Sequence, residues 1–409
     1  MDLEIRAITD DEFPAFGRTV ESAFGNQPTD EELAGWRSVT EFGRTLAVFD
    51  EDRIVATAGA FTLDLTVPGG ATVPAAGVTA VGVRTSHRRR GLLRAMMDRQ
   101  LDDVAARHEP IAILTASESV IYSRFGYGLA TSQASIAVDT RHSAFTRPLD
   151  DPGRMRMLDG DEAWPVASAI HERARLALPG DISRSPAWWA RTAKDADYAH
   201  PHTGKLFWAV HRSAAGVDDG FVTYRVKISW SEGLPDYEVA VVDLIADNPA
   251  AEAALWRFVL DIDLATRVTA WSRPVDEPLR WRLADPRRLR TTSVRDDVWV
   301  RFVDVPEALA ARRYGTDGSL VVEVVDGFRP QLGGRYRLDA GSDGAACERT
   351  TDLPDLTMST ADLAASYLGN PRFSLLARAG RVEEHTPGAL RRADRLFATD
   401  TVPFCRTAF

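Results

Sequence analysis

The 409-residue sequence predicts a mixed α/β (α+β) protein built from two or three domains. Three observations carry that prediction. Strand and helix patterns alternate along the first 140 residues, a similar strand-to-helix order returns between Leu206 and Leu264, and nine of the ten tryptophans fall between Trp164 and Trp299. The tryptophans set one bulky-cored stretch apart from its flanks. We divide the chain at residues 1–150, 151–293 and 294–409.

Leu3 to Ile8 alternates apolar and charged side chains, the period of a half-buried strand, and a helix can open at Asp10 with acidic residues in its first turn. A second helix is expected from Asp30 to about Val39. Leu46 to Phe49 and Ile54 to Val67 read as strands around the turn Asp50-Glu51-Asp52, and Pro68-Gly69-Gly70 makes a hairpin loop to a strand ending at Val83. The period then changes. Leu92 to Arg107 has helical spacing, with Leu93, Met96, Met97, Leu101 and Val104 on one stripe, and Ile111 to Leu114 is a short buried-strand run. In the middle stretch, Leu206 to His211, Phe221 to Lys227 and Glu238 to Ala246 read as strands, and Pro249 to Leu264 as the helix that comes after them. The last stretch predicts a strand from Val298 to Val303, a helix opening with Pro306, strands at Leu320 to Val325 and Arg335 to Asp339, and helices near Ala361 and Pro387.

Composition excludes several classes of function. Forty-nine basic against 59 acidic side chains give a net charge of -10, which argues against nucleic acid as the partner and favours cationic ligands. No apolar run approaches the roughly 18 residues of a membrane span, and Met1-Asp2-Leu3-Glu4 lacks the layout of a signal peptide. A cytoplasmic protein is expected. Cys347 and Cys405 are too few for a disulfide framework and lack metal-ligand spacing, so no metal site is expected.

The segment Gly77 to Arg94 carries the chemistry. It runs from a strand through the basic loop Arg88-Arg89-Arg90-Gly91 directly into the Leu92 helix. A helix start leaves backbone N–H groups unpaired at the positive end of its dipole, and Gly91 removes the Cβ that would keep a phosphate away. Positive side chains there oppose the dipole, so an anion is expected between them. With neither a Walker A sequence nor G-x-G-x-x-G present, the diphosphate belongs to another nucleotide carrier. A second segment, Leu114 to Gly128, ends a strand near Thr115 and makes a short helix holding Tyr122, which Gly126 stops. His87, just before the arginines, is either structural or catalytic.

R-x-x-G at a helix start, then a strand and a short helix with tyrosine before Phe125-Gly126-Tyr127, resembles the GNAT superfamily of acetyl-CoA-dependent N-acetyltransferases. Within it, His87-Arg88-Arg89-Arg90-Gly91-Leu92-Leu93-Arg94-Ala95-Met96 and Ile121-Tyr122-Ser123-Arg124-Phe125-Gly126-Tyr127-Gly128 resemble the Eis acetyltransferases of actinobacteria, over the whole chain. Leu93, where the wider superfamily has a small residue, fits that form. The resemblance implies two tandem GNAT-like domains followed by a sterol-carrier-protein-like α+β domain. Only the first is expected to bind donor, because Ala246-Asp247-Asn248-Pro249 has no arginine-glycine loop.

The resemblance also implies roles. Val81, Gly82 and Val83 would bind the pantetheine arm and thioester carbonyl of acetyl-CoA. Arg89, Arg90, Gly91, Leu92, Leu93 and Arg94 would hold the phosphates, with Ser117 and Glu118 at the neighbouring strand end. Tyr122 is the implied general acid, or else packs on the donor. The carboxylate of Phe409 is the implied general base; the apolar tail Val402 to Phe409 suits a buried terminus, and the alternative is Glu118 or a water relay. Phe24 and Trp36 would line the channel for an amine, or else pack in the core. Asn26 and Ala408 stand where acidic residues would help attract polyamines, which counts against an aminoglycoside preference. Acceptors of this type are cationic amines (aminoglycoside-like molecules, polyamines) or lysine side chains, and the assembly implied is a homo-hexamer. The competing class is a lipid- or CoA-binding protein whose acetyltransferase fold does not turn over.

Overall fold

A computed structural model of the chain describes residues 4–195 and 204–409; Leu3, the first residue of the expected opening strand, lies outside them. Contacts divide the chain into two units. The first takes the chain up to Thr131 together with Leu178–Ile182 and Asp296–Phe409, and the second takes Ser132–Ala177 and Ser183–Arg295.

The first unit begins with β1 (Glu4–Arg6), α1 (Phe13–Ala23) and α2 (Asp30–Arg37). α1 starts three residues later than the acidic pattern predicts, because Glu12 turns back to pair with Arg6 of β1 at 2.7 Å and Pro14 suits the first helical turn. Thr29 and Glu32 close a reciprocal capping box at the start of α2. Next come β2 (Leu46–Asp50), β3 (Arg53–Thr66), β4 (Thr72–Val83), α3 (Leu92–Ala106), β5 (Ile111–Thr115), α4 (Ser119–Tyr122) and β6 (Gly128–Leu129). These strands lie in the order β1-β2-β3-β4-β5, then the strand Val298–Phe302, then β6, with β4 and β5 the parallel pair.

The second unit repeats that plan. Its sheet runs Arg154–Leu158, Phe207–Arg212, Asp218–Lys227, Tyr237–Ala246, Ala265–Arg273, Ser132–Asp139 and Leu289–Asp296, again with the fourth and fifth strands parallel. The sheets have exchanged strands. Ser132–Asp139 comes directly after the first sheet in the chain yet pairs with Ala265–Arg273, and Val298–Phe302 comes after the second sheet yet pairs with β5. A division at residue 150 therefore differs from the division by pairing. Composition does not register the exchange, because the apolar side chains of a strand mark a buried face without saying which sheet it joins. The helix after Tyr237–Ala246 spans Pro249–Leu260, shorter than its pattern; Leu264 has φ 67°, which a right-handed helix excludes.

Beyond Val298–Phe302 the first unit adds the helix Val305–Ala311 and a five-stranded sheet ordered Gly344–Arg349, Gly334–Gly341, Gly318–Val325, Leu356–Ser359 and Val382–Glu384, with late helices Thr360–Ser366 and Ala389–Phe397. One apolar cluster joins this sheet to β3, β4 and β5 through Leu65, Ile113, Val300, Leu320, Tyr367 and Phe397, so the C-terminal segment is built onto the first sheet. Among the described residues no helix is long and apolar enough to cross a membrane.

Candidate functional site

β4 and β5 pair only from Ala75 to Gly77, against Ile111 to Ile113, and part beyond that point. The edge of β4 that faces β5 is therefore left without a strand partner over Val78–Val83. A bulge helps to open it: the β3–β4 register slips between Thr57 and Gly59, and Ala80 takes the left-handed φ of 53°. The carbonyls disturbed by the bulge are satisfied from elsewhere. Thr57 Oγ1 donates to the Ala80 carbonyl at 2.9 Å, and the buried Gln100 of α3 donates to Gly59 at 2.9 Å. Gly82 is pressed against α1, where an added Cβ would stand 2.8 Å from that of Ala23. Val81, Gly82 and Val83 thus lie on the open wall of a cleft.

At the mouth of that cleft is the basic loop. Arg84 N–H donates to the Val55 carbonyl at 2.9 Å, and His87 Nε2 lies 2.9 Å from Asp50 Oδ2, so His87 ties the loop to β2. Arg89 and Gly91 both have left-handed backbones, φ 63° and 79°, before α3 begins at Leu92. That geometry turns successive amides toward one side, and a non-glycine residue holds it only at a cost of about 1–3 kcal/mol. Space beyond Gly91 is open; an added Cβ would meet nothing within 4 Å. Leu92, Met96, Met97, Leu101 and Val104 bury the opposite face of α3, and half-buried Leu93 packs against the cluster containing Phe125 and Tyr127. Arg88, Arg89, Arg90 and Arg94 form no ion pair among the described residues; Arg94 stacks over the Phe328 ring at 4.8 Å, and Arg90 reaches back to the Ser86 carbonyl at 3.3 Å. The expected phosphate-binding residues are brought together with their charge uncompensated.

The other wall comes from β5 and the segment that joins it to β6. β5 ends at Thr115, Ser117 and Glu118 are exposed, and α4 carries Tyr122. The Tyr122 ring meets Tyr127 edge-on at 5.9 Å, and its hydroxyl bonds no other described residue. Burial, with the Glu118 carboxylate as the lesser cause, pushes the Tyr122 phenol up from the ordinary tyrosine value. Its proton is held more firmly. Gly126 ends the turn in the left-handed region at φ 83°, where any Cβ would strike the Arg301 guanidinium, and a Cβ on Gly128 would strike the Ala361 carbonyl. The run Phe125 to Gly128 is thus fixed by close packing.

The chain ends inside this cleft. Thr115 Oγ1 donates to the terminal main-chain oxygen of Phe409 at 3.3 Å, and the Phe409 ring lies over Gly77, whose added Cβ would stand 3.3 Å from Phe409 Cδ2. The terminus therefore sits at the fork where β4 leaves β5. Sequence reasoning assigned no role to Thr115, and only its place at the end of a strand bordering the cleft could have drawn notice. Of the two aromatic side chains expected near an acceptor, Phe24 caps the C-terminus of α1 and is 55% exposed, whereas Trp36 is half-buried against the cluster of Phe13, Phe16 and Leu33.

The corresponding place in the second unit is closed by its own side chains. Asn248 Oδ1 accepts the amides of Ala250 and Ala251 at 3.0 and 2.9 Å, filling the helix start, and Asp247 pairs with Arg173 at 2.6 Å. Arg184 and Asp243 pair at 2.7 Å just past Val241, where the strands Tyr237–Ala246 and Ala265–Arg273 stop pairing. No basic loop stands before the helix.

Comparison with known proteins shows the family. Acetyltransferase (GNAT) domain models match residues 4–130 and 180–302, and a sterol carrier protein domain model matches 305–406. An uncharacterised N-acetyltransferase of Streptomyces coelicolor is 41% identical, and the N-acetyltransferase Eis of Mycobacterium tuberculosis 34% identical, each over the full length of both chains. The crystal structure of Eis1 from Mycobacterium abscessus superposes with a TM-score of 0.88 at 37% identity, covering all of both chains.

Proposed function

The chain belongs to the Eis group of GNAT N-acetyltransferases, and from that premise we propose that it moves the acetyl group of acetyl-CoA onto a primary amine by direct attack within a ternary complex. One observation carries the proposal: the unpartnered edge of β4 beside β5 opens onto a helix start with free amides and uncompensated arginines. A donor with a diphosphate and an extended amide-bearing arm matches both features. In this reading the amides of Gly91 to Leu93, with Arg89, Arg90 and Arg94, hold the phosphates. Val81 to Val83 hold the arm, and Ser117 and Glu118 border it.

The chain's own groups then manage two protons. The amine lone pair forms the C–N bond, and the proton it sheds passes to the Phe409 carboxylate, either directly or through water. As the C–S bond breaks, the departing thiolate takes the Tyr122 phenolic proton. Tyr122 suits that task because burial keeps it protonated across the neutral range. Both groups return to their starting states by exchange with solvent. Phe24 and Trp36 favour a cationic acceptor approaching from the α1–α2 side, and the class comprises polyamines, aminoglycosides and lysine side chains. The donor site belongs to residues 1–150, whereas 151–293 and 294–409 support it, and the same reading takes six copies per assembly.

Release of free thiol from acetyl-CoA, measured against a panel of these amines, tests the reading. Acceptor-dependent thiol release is expected; donor binding without release for every amine would replace it with a non-catalytic CoA-binding protein.

A further inference from the structure

We infer that Asp181 and Arg406 are positioning residues for the acetyl transfer: their partly buried ion pair clamps the C-terminal tail so that the Phe409 carboxylate is presented at Thr115. The inference rests on the reading of Phe409 as the base and adds the device that keeps it in place.

A terminal carboxylate is an unusual base because the last residues of a chain normally fray. Here the tail is pinned just short of its end. Asp181 is fully buried, and its Oδ1 accepts the Arg406 amide at 3.1 Å while Oδ2 accepts Arg406 Nη1 at 2.8 Å. Both the backbone and the side chain of Arg406 are therefore held by one carboxylate. That carboxylate is itself fixed: Thr66 N–H donates to the Asp181 carbonyl at 2.8 Å, Gly180 N–H donates to Thr66 at 2.8 Å, and Ile182 bridges Leu65 of β3. Before Arg406, the Cys405 amide donates to Asp297 and Phe404 N–H to the Pro179 carbonyl at 3.0 Å, and Gly180, with φ 97°, lies so close that an added Cβ would stand 3.2 Å from the Phe404 nitrogen.

Phe409 is the third residue after Arg406, a reach of at most about 10 Å. With the anchor at Arg406, the terminal carboxylate explores a small volume that includes Thr115. If the anchor is lost, the tail is next held at Cys405, whose amide donates to Asp297; the run from that anchor to Phe409 lengthens from three residues to four, and the time the carboxylate spends at Thr115 falls. Misplacing a reacting group by about 1 Å can cost on the order of 100-fold in rate. Leu178–Ile182 is thus a short excursion of the chain that serves the terminus more than two hundred residues later.

The test is steady-state kinetics of thiol release for the parent, Arg406→Gln, Arg406→Lys, a chain lacking Phe409, and Arg406→Gln in the chain lacking Phe409. Arg406→Gln is expected to lower kcat about tenfold or more while KM for acetyl-CoA shifts less than about threefold, and Arg406→Lys to recover most of the loss. Without Phe409, Arg406→Gln is expected to have no further effect, because there is then nothing left to position. The same fold-loss with and without Phe409 would make the pair merely structural and overturn the inference, as would an unchanged kcat in Arg406→Gln when removal of Phe409 slows the enzyme. Should removal of Phe409 itself leave turnover intact, the base assignment fails and the clamp falls with it. If Arg406→Gln does not fold, the smaller loss in Arg406→Lys is read against the chain lacking Phe409 in the same way.

Discussion

The hydroxyl of Thr115 donates to the main-chain oxygen of Phe409 at 3.3 Å across 294 residues of chain, joining the end of β5 to Phe409. At 3.3 Å it is longer than the usual hydroxyl bond, and it places the Phe409 main chain beside Thr115. It lies at the fork where β4 and β5 part, the place that the proposed mechanism requires of the base.

Thr115→Val keeps the side-chain shape of the strand and removes the donor. The expected result is a fall in kcat of about tenfold, with KM for acetyl-CoA nearly unchanged. Steady-state kinetics on the purified variant check it; a change confined to KM would place Thr115 in donor binding.

In the proposed mechanism Tyr122→Phe removes the proton offered to the thiolate and nothing else of size. Turnover is expected to fall by about 100-fold or more while the affinity for acetyl-CoA stays within about twofold. The acid must be protonated to act, and burial beside Glu118 raises its pKa above the ordinary value of about 10. The loss of its proton therefore does not limit kcat below about pH 10 in the parent, and a pH–rate profile tests that directly.

Legibility in the sequence depends on how far apart the partners lie in the chain. The helix at Leu92, the stop at Gly126 and the cradle around Gly91 depend on neighbouring residues, and the structure shows Gly91 and Gly126 at φ 79° and 83°, where glycine is needed. The exchanged strands, the clamp of Asp181 on Arg406 and the Thr115 bond to Phe409 depend on pairings across 100 residues or more. No local period records them. Pro249–Leu260 ends earlier than its apolar spacing, because Leu264, exposed and left-handed at φ 67°, belongs to the turn before Ala265 and not to the helix.

Gly91→Ala tests the cradle through the backbone. An alanine at φ 79° costs about 1–2 kcal/mol, so a drop in Tm of a few degrees is expected with a modest loss of donor affinity. Gly91→Asp adds a carboxylate where the phosphates would sit and is expected to weaken binding well beyond that, most strongly at low salt. Equal affinity in the two variants would show that no anion binds there.

Asp297 is buried beside Thr131 and Asp181, accepts the Thr131 hydroxyl at 2.9 Å and the Cys405 amide, and its pKa is pushed up to about 7, chiefly by burial. The folded state therefore holds this proton more tightly than the unfolded chain. The stability it contributes is complete below the ordinary carboxylate value of about 4 and is lost as pH rises through about 7. Asp297→Asn mimics the protonated form, so its Tm relative to the parent is expected to be higher at pH 8 than at pH 4. A pH-independent difference in melting curves would refute the assignment.

Calorimetric titration of the intact protein with acetyl-CoA examines the central claim most directly, since the helix start beside β4 has no side-chain cap, whereas Asn248 fills the corresponding start in the second unit. The account predicts one donor bound per chain, with the interaction abolished or greatly weakened in Gly91→Asp. No measurable binding, or two donors per chain, would contradict it.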